Sequence, residues 1–196
     1  MRGKLAAACL IVLALPAFAE DAPEAGAPAP VVAPAKPADM RADQLDTLFA
    51  RLRQPGIESS EVERQIWQLW GASDSPTATI LLEQSTRAID DGAPAEALAM
   101  LDRLIGAFPG FAEAWNKRAT LYFMMKRYDA SLADIAHTLD LEPRHFGALA
   151  GKGMILMRQK DYAGARAAYE EALAVNPNLE QVKEALKELD RLEQGI

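Results

Sequence analysis

Residues 109–143 read PGFAEAWNKRATLYFMMKRYDASLADIAHTLDLEP, and residues 143–177 run through the same pattern as PRHFGALAGKGMILMRQKDYAGARAAYEEALAVNP. Pro109, Pro143 and Pro177 stand 34 residues apart. At the same step Trp115 returns as Leu149, Ala119 as Gly153, Tyr122 as Leu156, Tyr128 as Tyr162 and Leu139 as Leu173. One step earlier, Ala97, Leu98, Leu101 and Ile105 take the places of Ser131, Leu132, Ile135 and Leu139. A fixed period of this length marks a stacked solenoid and not a set of unrelated helices.

Each unit reads as two helices. Ala114-Trp115, Arg118-Ala119 and Tyr122-Phe123 recur at three- and four-residue steps, which is a helical stripe. Lys126-Arg127-Tyr128-Asp129 interrupts it, and Leu132, Ile135-Ala136 and Leu139 start the next. Glu142-Pro143 closes that helix, because a residue before proline avoids the helical region. The third unit turns at Gln159-Lys160-Asp161 and stops at Pro177, and the first turns at Asp91-Gly92-Ala93-Pro94.

These units resemble tetratricopeptide repeats. Trp115, Ala119, Tyr122, Tyr128, Leu132, Ile135, Leu139 and Pro143 fit that family's pattern, as do Leu149, Gly153, Leu156, Tyr162, Ala165, Tyr169, Ala172 and Pro177. The first unit is degenerate, with Leu81, Ser85 and Ala88 in the aromatic-small-aromatic places. The resemblance implies an all-α, right-handed α-solenoid of about three helix-turn-helix repeats, at about 78–111, 112–145 and 146–179. Small residues let paired helices approach while large ones fill the gaps, and the ends need caps with a polar outer face.

At the C-terminal end a helix over 179–194 supplies a cap, with Val182, Leu186, Leu189 and Leu192 expected inward and Glu180, Lys183, Glu184, Lys187, Glu188 and Arg191 in water. At the other end, residues 41–75 read as a helical hairpin. Leu45, Leu48, Phe49 and Leu52 form one stripe, and Pro55-Gly56 stops it. Ser60-Glu61-Val62-Glu63 is a capping box for a second helix bearing Val62, Ile66, Leu69 and Trp70. This hairpin is an N-terminal cap, with a divergent fourth repeat as the alternative.

The rest of the N-terminal part has another character. Residues 20–40 carry Pro23, Pro28, Pro30, Pro34 and Pro37 among alanines and read as a semi-extended linker. Residues 1–19 combine basic Arg2 and Lys4, an apolar run from Leu5 to Leu15 and the small-x-small tripeptide Ala17-Phe18-Ala19. That is the pattern of a bacterial signal peptide cleaved after Ala19. The apolar run is well short of the roughly 20 residues a spanning helix needs, so membrane contact is expected only during export. Cys9 has almost no apolar segment before it and does not mark a lipoprotein site. The expected location is periplasmic or secreted.

Composition bounds the function. The 196 residues carry a formal net charge of -7 and one cysteine, Cys9. Without the leader the chain has 19 basic and 28 acidic residues, a charge of -9, and no thiol to mispair in an oxidising compartment. Such a balance argues against nucleic acid, which needs a Lys/Arg footprint. His137 and His145, the two histidines, have no Cys or carboxylate set at ligand spacing and read as surface or packing residues. Glycine-rich phosphate loops, GxSxG and HExxH are absent. Asp90-Asp91 and Glu170-Glu171 diverge around their helices and do not converge on a substrate. No enzyme, cofactor, metal or small-molecule substrate is expected.

What remains is binding. The family resemblance implies a concave groove lined by the first helix of each pair. Its residues are Thr79, Leu82, Thr86, Ile89 and Asp90 from the first unit, and Glu113, Asn116, Thr120, Phe123 and Met124 from the second. The third adds Gly147, Ala150, Met154, Met157 and Arg158. Met124, Met154 and Met157 offer an adaptable apolar floor, Asn116 a donor and acceptor for a peptide amide, and Arg158 a partner for a carboxylate. Only Asn116 and Arg158 supply groove polar groups of the kind that clamps a C-terminal carboxylate in some members of this family. Lys117, Arg118, Lys126 and Arg127 cluster in the middle unit as a solvated rim, or as a steering patch for an acidic partner. The function expected is a scaffold or assembly factor of the bacterial envelope that holds a peptide segment or helix of another protein. The alternative is a self-associating subunit using Trp67, Trp70 and Phe108.

Overall fold

The computed structural model describes residues 37–54 and 56–194. The expected leader and most of the expected linker lie outside these residues. Among the described residues nine α-helices account for the regular structure: α1 Pro37–Leu52, α2 Ser59–Gly71, α3 Pro76–Asp90, α4 Pro94–Ala107, α5 Ala112–Met124, α6 Tyr128–Leu141, α7 Phe146–Arg158, α8 Tyr162–Val175 and α9 Glu180–Gln194. No strand occurs among the described residues. Helix α1 begins at Pro37, so residues 37–40 belong to its first turn and not to the linker. Proline is at home there because the first helical amide has no partner to lose.

Helices α3–α4, α5–α6 and α7–α8 are three antiparallel pairs, and one backbone device turns each pair. Gly92, Lys126 and Lys160 have φ of 71°, 59° and 64° and recur at the 34-residue step. Beyond each of them an amide reaches back across the helix end: Ala93 N–H to the Ala88 carbonyl (2.8 Å), Arg127 to Tyr122 (2.8 Å) and Asp161 to Leu156 (2.9 Å). This is the Schellman closure, which needs a left-handed residue just past the helix. Glycine meets that need freely in the first unit, whereas two lysines hold it against the steric penalty in the others.

Small residues set the helix spacing. A Cβ on Gly153 would lie 2.4 Å from the Tyr169 ring, so α7 and α8 touch through glycine and tyrosine. The buried Ser131 hydroxyl donates to the Ala119 carbonyl (2.7 Å) and joins α5 to α6. Between the small residues sit Leu82, Leu101, Leu104, Ile105 and Leu121 in one core cluster, Ile135 and Ile155 in the next, and Tyr169, Val182 and Leu189 toward α9.

Arg118 crosses three helices. Its guanidinium donates to both oxygens of Asp134 (2.7 and 2.8 Å) and to Asp102 (2.7 Å), and it lies 5.0 Å from the Trp115 ring centre. The Asp134 hydrogen bonds, opposed by burial and aided by Asp102, hold this group above the ordinary arginine range. Arg127 lies over Tyr122, and Lys117 faces Glu113. The supposed cationic patch is therefore divided: Arg118 is a strut between repeats, and Lys126 serves its turn.

The terminal elements depart from their sequence patterns in three details. Leu189 is fully buried and Val182 nearly so, but Leu186 is half-buried and Leu192 lies on the wet side, 42% exposed. The α9 stripe outruns the α8 surface beneath it. The capping box of α2 does not close: Ser60 donates to the Glu58 carboxylate (2.8 Å), and Glu63 is turned to a distant asparagine. Finally, Trp70 is buried and Trp67 and Phe108 are half-buried within this chain, so the three do not form an exposed self-association patch.

Lys126→Gly and Lys160→Gly should each stabilise the fold by about 0.5–1 kcal/mol, since a left-handed non-glycine residue costs about 1–2 kcal/mol and glycine returns part of that as backbone entropy. The urea midpoint should rise at unchanged slope; an unchanged midpoint would show these turns carry no penalty. Burial also holds the Tyr169 phenol above its ordinary value of 10.0. The folded state then keeps a proton that the unfolded chain releases, so stability is intact below about pH 10 and declines as pH rises past it. Tyr169→Phe should remove that alkaline decline.

Candidate binding groove

The hairpin α1–α2 covers the edge of the stack where the α6–α7 and α8–α9 turns lie, a position that element order does not specify. Its apolar face joins Leu45, Leu48, Phe49, Leu52, Val62, Ile66 and Trp70 to Phe146 of α7, with Val175 and Leu179 alongside. Polar links reinforce the contact. Arg144 pairs with Asp46 and lies over the Phe49 ring, Asn176 donates to Glu63 (3.1 Å), and Asn178 donates to the Leu52 carbonyl (2.8 Å).

At the centre of this contact sits His145, with no exposed surface. It caps α7: its Nδ1 accepts from the Ala148 N–H at 3.1 Å. With Nδ1 an acceptor, Nε2 carries the proton and donates to Glu113 Oε2 of α5 at 3.0 Å. Asn116 donates to the same oxygen (3.0 Å), and Lys117 Nζ lies 3.8 Å from the other. Trp70 stacks on the imidazole at 4.0 Å and 13°, and Trp67 meets it edge-on. The Trp70 indole N–H finds no acceptor among the described residues. His145 is thus a packing histidine, and Glu113 is its buried acceptor and not a groove residue.

Beside this node lies an open cavity of about 680 Å³. Along α5 it is lined by Asn116, Thr120, Phe123 and Met124, and along α7 by Gly147, Ala150, Gly151 and Met154. These residues sit at steps of three and four, so each helix turns one face to the space. Ser131 and Ile135 of α6 lie at its floor. The start of α9, Leu179 to Val182, makes a third wall, and Glu63 and Trp67 of α2 close one end. Met124 and Met154 are 59% and 45% exposed, unusual for side chains with so much apolar surface.

Seven of the residues expected from the sequence therefore share one groove: Asn116, Thr120, Phe123, Met124, Gly147, Ala150 and Met154. The others lie elsewhere. Leu82 is in the core of the first pair, and the Thr79 and Thr86 hydroxyls donate to backbone carbonyls of their own helix region. Met157 packs against the buried cluster of Ala165, Tyr169, Val182 and Leu189 toward α9. Arg158 stands outside the lining but 5.3 Å from the Phe123 ring centre, at the far end from α2. One amide hydrogen of Asn116 is already given to Glu113, so its polar capacity toward a ligand is smaller than expected. Sequence reasoning missed Glu63 and Trp67. Their one signal is spacing, four apart and hence on one face of α2.

No group of three or more His, Cys, Asp or Glu side chains suited to a metal occurs among the described residues. Tetratricopeptide-repeat family models match residues 82–136 and 146–179. A TPR repeat-containing protein of Rhizobium etli is 39% identical over 137 residues, covering 70% of this chain and 67% of that protein. The chain belongs to the tetratricopeptide-repeat family. Among solved structures, the first TPR of Spaghetti (RPAP3) bound to the HSP90 peptide SRMEEVD aligns with a TM-score of 0.59 at 21% identity, over 62% of this chain and 96% of that one. MamA aligns with a TM-score of 0.57 at 17% identity, over 72% and 86%. Both share the fold.

A Cβ on Gly147 would lie 2.5 Å from the Trp67 ring. Gly147→Val should therefore lever α2 off α7, at a cost of about 1–3 kcal/mol. Helical circular dichroism should persist while tryptophan emission shifts to the red and hydrogen exchange in α1 and α2 quickens. Unchanged exchange there would show that the hairpin is not held through this contact.

Proposed function

We propose that this chain is a non-catalytic protein-interaction module that holds a segment of a partner protein in the groove between α5, α7 and the start of α9. The observation that carries this reading is the groove itself. The exposed Met124 and Met154 and the half-buried Phe123 line it together with the small residues Ala150 and Gly151, over a floor of Ser131 and Ile135. Exposed methionines adapt to a partner's shape, and an open apolar trough suits a helix or an extended segment. Two solved relatives in fold support it: one TPR domain of RPAP3 is bound to an HSP90 peptide and another to an HSP70 peptide.

The setting we propose is the bacterial envelope, where the module serves as a scaffold or assembly factor. The basic-apolar-small pattern of residues 1–19 supports export with cleavage after Ala19, and the chain remaining is acidic and free of cysteine.

Ala150→Trp fills the groove from its α7 side without touching the Glu113–His145 node. Cross-linking in envelope preparations, followed by identification of the captured protein, should yield a partner with the native chain and lose it with Ala150→Trp. Circular dichroism should stay helical. Undiminished capture by a folded Ala150→Trp chain would place binding on another face.

A further inference from the structure

Charge is distributed unevenly along the groove. The side chains lining it include two carboxylates, Glu63 and Glu180, and no lysine or arginine. Both acids lie toward the end where α7 and α9 begin. Glu180 is paired with Lys183 at 2.7 Å on the surface of α9. Glu63 is different. Its Oε1 accepts from the buried Asn176 at 3.1 Å, and its carboxylate pairs with no cation among the described residues, whereas nearby Glu61 is taken by Arg64. The other cations of this region are committed: Lys117 faces Glu113, and Arg144 is bound to Asp46 and Glu142. Arg158 is at the opposite end, over Phe123.

The unpaired carboxylate has an aromatic neighbour. Glu63 and Trp67 share one face of α2, and both line the cavity. A carboxylate beside an indole matches a long basic side chain: the aliphatic stem lies along apolar surface while the charged head meets ring and carboxylate together. The asymmetry also sets an orientation, since an acidic side chain would be repelled at the α2 end and tolerated only near Arg158.

We infer that the groove selects a partner segment that is apolar at its centre and carries an arginine or lysine seated at the Glu63–Trp67 end. The inference rests on the groove-binding reading and adds the chemistry of the partner. It separates this chain from its solved relative that holds SRMEEVD, whose peptide ends in acidic residues. The preference is created by the hairpin α1–α2, which brings Glu63 and Trp67 to a groove otherwise built from repeat helices.

The test uses synthetic amphipathic helical peptides that share one Leu/Met/Phe face and differ at a single terminal position: arginine, glutamine or glutamate. SRMEEVD serves as an acidic probe. Titration of the full chain should rank arginine above glutamine by about tenfold, with glutamate and SRMEEVD weakest. Glu63→Gln keeps an acceptor for Asn176, so the hairpin stays seated, and it should bring the arginine peptide down to the affinity of the glutamine peptide. Equal binding of all three, or a ranking insensitive to Glu63→Gln, overturns the inference. If Ala150→Trp still blocks those peptides, the groove reading stands without it. If no peptide binds, the inference also fails, and partner capture by the native chain against Ala150→Trp decides the groove reading separately.

Discussion

The buried hydrogen bond from His145 to Glu113 holds the groove between α5 and α7 in its observed form. It is made where three elements meet: α5 supplies the carboxylate, the α7 N-cap supplies the imidazole, and α2 lays Trp70 over the imidazole. A buried carboxylate is expensive unless its oxygens are occupied, and here histidine, asparagine and lysine attend it. The same bond fixes the imidazole tautomer that caps α7. Removing any participant would expose a polar group to an apolar interior, which costs more than the bond itself contributes. The groove inherits its geometry from this node, because Asn116, Gly147 and Trp67 are all next to it.

The repeat architecture was legible because its determinants are local. A 34-residue period, a proline after each unit, a turn between paired helices and small residues at the close contacts can each be read within one unit. The α5 and α7 faces of the groove followed from the family resemblance, which assigns the groove to the first helix of each pair, although α3 at the same register lines none of it. Misreadings came from residues whose partners are remote. Arg118 looked like a rim cation, yet its acceptors Asp102 and Asp134 each lie 16 residues away, across helix boundaries. Glu113 occupied a groove position by pattern, and only its contact with His145, 32 residues on, withdrew it.

The hairpin shows the limit more sharply. Its helices follow from stripes around Leu45–Leu52 and Val62–Trp70, but nothing in a stripe says which surface it will cover. The bond from Asn176 to Glu63 spans 113 residues, and no periodicity reports such a link. For that reason Glu63, Trp67 and the α9 start were absent from the expected groove. The failed capping box belongs here as well: Glu63 had a local use available at its own helix terminus and is found serving a distant contact.

The Asn178 bond to the Leu52 carbonyl closes a loop of 126 residues. Repeat arrays ordinarily gain stability only from nearest neighbours, so each end is indifferent to the other. Here α1 and α2 dock on turns that are synthesised well after them. A chain emerging from its N-terminus can assemble its helical pairs in order, yet α1 and α2 must wait with apolar faces uncovered until residues 142–146 and 176–179 exist. The contact also works in the finished molecule as a clasp: loosening the last pair loosens the first hairpin with it. What would otherwise fray unit by unit is bound into one cooperative body, at the cost of a late and long-range closing step.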